Sequence, residues 1–146
     1  MKWENFQESQ KELPEVIVEK MISGFSTATN ELAELRMSNA SELALIGSKL
    51  KTRFQFRVQL LSNRLPDYAL KVFEFGYNVD IYPVKIILTP SIMEELNNKG
   101  EGLTSIISLD DQERFQRLLE LVFSTARFKE VVGGLMKIAR KSDLPF

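Results

Sequence analysis

The chain has 146 residues, 44% of them hydrophobic, and nineteen Lys and Arg against twenty Asp and Glu leave a net charge of −1. That length suits one ordinary domain with its own apolar core, and the composition is too apolar and too evenly charged for a disordered chain. Histidine and cysteine are both absent, which excludes Cys/His zinc sites, iron–sulfur ligation, disulfides, thiol nucleophiles and any proton relay through imidazole.

In chain order, the first signal is helical. Val18, Met21, Phe25, Ala28, Leu32 and Leu35 follow one another at spacings of three and four, an apolar seam that predicts helix across residues 15–50. Pro14 suits the first turn, and a short helix before it would pack Trp3 and Phe6. The seam loses phase at Met37–Ser41. There Asn39 and Glu42 have capping-box spacing. A second helix carrying Leu43, Ile46 and Leu50 is the preferred reading, with one long helix as the alternative.

From Thr52 to Leu60 the period changes to two. Phe54, Phe56, Val58 and Leu60 alternate with Arg53, Arg57 and two glutamines, the pattern of a half-buried strand. Asn63, Pro66 and Asp67 mark a turn. Tyr68–Phe75 and Val79–Leu88 read as two further strands, joined at Gly76–Asn78. Pro83 lacks an N–H for the ladder, so the third strand is expected at an edge or a bulge.

Thr89–Pro90 opens a short helix that ends near Gly100, and Leu103–Leu109 reads as a fourth strand. Asp110 and Glu113 open a C-terminal helix, which Gly133–Gly134 should kink unless a second helix or a ligand approaches closely there. The sum is a single α+β domain over residues 1–146. N-terminal helices occupy 1–50, followed by a three- to four-stranded, mainly antiparallel sheet, a short helix and a C-terminal helical region packed on one face.

The seven glycines form no phosphate-binding loop. Asp110, Asp111 and Glu113 could hold a hard cation, but helix capping explains them better. No catalytic residue, metal ligand or cofactor is assigned. Two surfaces remain. The seam residues Val18, Met21, Phe25, Leu32 and Leu35 are a candidate interface with a protein partner or a second copy. Arg53 and Arg57 on the first strand, with Lys137, Arg140 and Lys141 near the C-terminus, are a candidate basic face for nucleic acid. Charge supports the division, since residues 1–50 carry −3, residues 51–89 carry +3 and residues 114–141 carry +5.

No run of residues reaches the length of an apolar membrane span, and the N-terminal stretch lacks the core of a signal peptide. A soluble cytoplasmic protein is therefore expected. The function read from these parts is a non-catalytic protein-binding module that self-associates. Nucleic-acid binding is the first alternative, and a small-molecule binder or carboxylate-only enzyme the second.

Overall fold

The computed structural model describes residues 1–40 and 47–142. Helix α1 (Pro14–Ile22) starts on a first-turn proline and stops at Ser23–Gly24, where Gly24 has φ +86°, a conformation that favours glycine. A four-residue helix α2 (Phe25–Ala28) follows, and Asn30 and Glu31 then take left-handed backbone angles. These two interruptions end the helical course, so the helix expected over residues 15–50 is corrected. Glu34–Asn39 is strand β1, with Asn39 inside it. Glu42, Leu43 and Ile46, on which the expected capping box and second helix depended, lie outside the described residues. Residues before Pro14 form no helix, which corrects that expectation too.

Strand β1 pairs antiparallel with β2 (Phe54–Leu61), β2 with β3 (Ala69–Tyr77), β3 with β4 (Val84–Leu88) and β4 with β5 (Ile107–Leu109). Among the described residues the sheet is thus five-stranded, in the order of the chain. Helix α3 (Pro90–Asn98) connects β4 to β5, and α4 (Gln112–Phe123) and α5 (Ala126–Lys141) complete the fold. The α+β class expected from the sequence is the class observed, with β1 as an additional strand. Pro83 stands just before β4, and β4 is interior, so the expected edge position of that strand is corrected.

Alternation along the strands separates two faces. Leu35, Met37, Phe56, Val58, Leu60, Phe73, Phe75, Ile86 and Leu88 share one face through the registers that pair them. Phe75 stacks on Phe56 at 5.1 Å between ring centroids and meets Phe115 of α4 at 5.7 Å. Phe73 meets Phe123 at 5.9 Å, and Phe123 meets Phe128 of α5 at 5.3 Å. The helices therefore pack on this face. Fully burying each such side chain stabilises the fold by roughly 1.5–3 kcal/mol.

The other face carries Arg57, Glu74 and Lys71. A β-bulge between Val58 and Gln59 skips Val72 in the pairing, which brings Lys71 and Glu74 to the same side as an ion pair at 2.5 Å. The carbonyl of Val72 accepts from the Thr89 amide at 3.0 Å and from the Thr89 hydroxyl at 2.7 Å. The bulge thereby anchors the residue that precedes α3.

Candidate functional site

Helix α5 is fixed at its N-terminus by two side chains. The Thr125 hydroxyl accepts from the Phe128 amide at 3.2 Å, an N-cap that satisfies one free donor of the first turn. The Glu95 carboxylate of α3 accepts from the amides of Ala126 and Arg127, both at 2.8 Å, and pairs with Lys99 at 3.1 Å. These hydrogen bonds, the one from Arg127 first, hold the Glu95 carboxyl below the usual carboxylate range.

The helix runs from Ala126 to Lys141 without a break at Gly133–Gly134, so the two glycines do not end it. Phe128, Val132, Leu135 and Ala139 are its buried stripe. Beside that stripe, Val131, Gly134 and Ile138 recur at helical spacing and face the β2–β3 turn. Leu65, Pro66, Asp67 and Tyr68 form this turn, closed by the Tyr68 amide on the Leu65 carbonyl at 3.0 Å. Proline in the second of four positions is favoured there because its φ is already set. Turn and helix enclose an open, mainly apolar groove of about 540 Å³. Ile138 is 57% exposed on its rim. A Cβ placed on Gly134 would meet nothing within 4 Å, so the missing side chain deepens the groove.

A second groove, of about 490 Å³, lies between the N-terminal helices and the end of α4. Met21, Phe25 and Leu35 of the expected seam line it, while Val18 and Leu32 are buried. Phe25 packs on Phe128 at 6.0 Å. The seam residues are thus divided between core and groove wall and do not form one helical stripe.

The basic residues do not converge. Arg57 lies across from Glu74 on the sheet face opposite the helices, whereas Lys137, Arg140 and Lys141 lie on α5. Arg57 is half-buried, and its Nε finds no hydrogen-bond partner among the described residues. Gln55, between the two arginines, is buried and donates to the Thr52 carbonyl at 3.0 Å. Arg53 is exposed but precedes the strand. Arg53 and Arg57 therefore stand apart from Lys137, Arg140 and Lys141, and Thr52 packs beside Gln55 on the strand face between the two arginines.

Several carboxylates are engaged within the fold. Asp111 caps α4 by accepting from the Arg114 amide at 2.9 Å, and Asp110 pairs with Arg114 at 3.2 Å. Tyr77 donates to both oxygens of Glu15, at 2.6 and 2.8 Å. Burial, then this hydrogen bond and the nearby charge, raise the Tyr77 hydroxyl above its usual range. Burial likewise raises Tyr82, helped by the charges of Asp111 and Glu12. Among the described residues no three acidic side chains gather as a metal site, and no helix is long and apolar enough to cross a membrane.

Sequence reasoning missed the first groove. Its turn and its helix are more than sixty residues apart, and only Gly134 and the exposed Ile138 hint at it locally. Comparison with protein-family models, curated proteins and solved structures finds no match to this chain.

Proposed function

We propose that this chain is a non-catalytic protein-binding module whose contact surface is the groove between α5 and the Leu65–Tyr68 turn. The observation that supports this reading is the open space above Gly134, walled by Leu65, Tyr68, Val131 and Ile138. Apolar clefts on rigid elements accept aromatic or aliphatic anchors at low cost in ordering. The capped N-terminus of α5 and the hydrogen-bonded turn supply that rigidity.

The two adjacent glycines supply a matched test. Gly134→Leu fills the groove, while Gly133→Leu places the same side chain about 100° away around the helix, towards solvent. Peptides selected from a random library against the native chain should perturb amide resonances of Leu65–Tyr68 and α5. They should lose binding to Gly134→Leu and keep it for Gly133→Leu. Selection that yields no binder, or binders indifferent to both substitutions, overturns the reading.

A further inference from the structure

The sheet ends on β1, and among the described residues no strand pairs with its outer edge. The Ala40 amide donates to the Gln55 carbonyl of β2 at 3.0 Å, and backbone groups of successive strand residues point to opposite edges. Arg36 and Ser38 therefore face β2, while Leu35, Met37 and Asn39 turn their N–H and C=O groups outward. Ala33 also turns outward, but the Thr29 hydroxyl takes both of its groups. It donates to the Ala33 carbonyl at 2.9 Å and accepts from the Ala33 amide at 3.2 Å. Thr29 thus stands in for a neighbouring strand at that residue and leaves the edge beyond it open. We propose that this edge pairs antiparallel with the same edge of a second copy, about a twofold axis at Met37, so that two sheets join into one. The surface is separate from the α5 groove, and the pairing does not depend on it.

The edge is unguarded. Proteins usually protect a terminal strand by shortness, by lysine or proline, or by a bulge. At the opposite end of the sheet, β5 has three residues. Strand β1 has six, contains no proline or lysine, and runs in register with β2 without a bulge. Its two charges, Glu34 and Arg36, pair with each other at 2.6 Å.

The strand also complements itself in one register. Setting Met37 opposite Met37 of the second copy places Leu35 opposite Asn39, so every outward donor meets an outward acceptor. Arg36 then faces Ser38. Moving the axis to Arg36 would set two arginines directly opposite, which is unfavourable. It would also bring Asn39 against Ala33, whose groups Thr29 already holds. In the Met37 register the half-buried Leu35 and Met37 continue across the axis as an apolar row on the helix side. Six residues a side is small beside the roughly 20–30 of a standard interface. The pair therefore forms at high concentration and separates on dilution.

Amide exchange and sedimentation of the full chain, followed from low micromolar to near-millimolar concentration, test the pairing. In dilute solution the amides of Leu35, Met37 and Asn39 should exchange freely while those of Arg36 and Ser38 are protected. With rising concentration the outward amides should gain protection as the mass doubles. Asn39→Pro removes an outward N–H and leaves the β2 ladder whole, so it should prevent the doubling without changing circular dichroism. The chain has no cysteine, so a single engineered thiol reports the register even if that variant fails to fold. Met37→Cys should cross-link two copies on mild oxidation, with Cα atoms about 5.5 Å apart across the axis. Asn39→Cys should not, because its two copies lie roughly 13 Å apart along the strands. Outward amides that stay unprotected at every concentration overturn the proposal. Protection in a monomer overturns it as well, because the chain then covers its own edge. Doubling that survives Asn39→Pro, or cross-linking of Asn39→Cys in preference to Met37→Cys, places the contact elsewhere. Protection that appears only on adding a library peptide assigns the edge to a foreign strand and also overturns self-pairing.

Discussion

Glu95 and Arg127 meet through a side chain and a backbone amide: Oε1 of Glu95 accepts the Arg127 N–H at 2.8 Å, while Oε2 accepts that of Ala126. One carboxylate thus joins α3 to the first turn of α5, where free donors and the positive end of the helix dipole favour an anion. The groove-bearing helix is held in place by this joint.

Because folding lowers the Glu95 pKa from its ordinary value of 4.5, its contribution is present above that value and is lost as pH falls through the folded value. Glu95→Gln should lower the melting temperature at neutral pH. The gap to the native chain should close below about pH 4.5. Thermal melts from neutral to acidic pH would show it, and a gap constant over that range contradicts the assignment.

Tyr77 titrates in the opposite sense. Its pKa is raised above 10.0, so the stabilisation is complete below that value and declines as pH rises beyond it. Tyr77→Phe removes both hydrogen bonds to Glu15 and should cost about 1–2 kcal/mol at neutral pH. It should also flatten the alkaline limb of the stability profile, measured by denaturant unfolding at rising pH.

Gly133 and Gly134 occupy the interior of a continuous helix, and a methyl group added at either would have nothing within 4 Å. Alanine at either site should stabilise the chain by about 0.5–1 kcal/mol, because glycine loses more backbone freedom on folding. Urea titration of both variants tests this. A loss of stability at Gly134 would mean that the groove floor is not open.

Gly76 behaves differently. A Cβ there would overlap the Thr52 hydroxyl and lie 2.8 Å from the Phe54 carbonyl. Gly76→Ala should therefore destabilise the fold by about 1–3 kcal/mol, the cost of forcing neighbours apart, with urea midpoints as the readout.

The sheet was legible where side-chain alternation is strong. Phe54 to Leu60 reads directly as β2, Thr89–Pro90 marks a helix start that the structure retains, and the start read from Asp110 and Glu113 falls one residue later, with Asp111 as the cap. β1 was not legible. Glu34, Leu35, Arg36 and Met37 all have good helix propensity, and the spacing of three and four ran on from α1 as if uninterrupted. Gly24 and the Thr29–Asn30 pair were the available signals of a break. The strand forms because Leu35 and Met37 pair with Leu60 and Val58, a long-range contact that local propensity does not contain. The groove was hidden for the same reason: the Leu65–Tyr68 turn meets α5 only in the folded chain.

Mapping a selected peptide onto the isotope-labelled chain tests the groove most directly. Its addition should shift the Ile138 methyls and the amides of Leu65–Tyr68, and Gly134→Leu should abolish both changes. Changes confined to other surfaces, or unaffected by Gly134→Leu, contradict the groove as the contact surface.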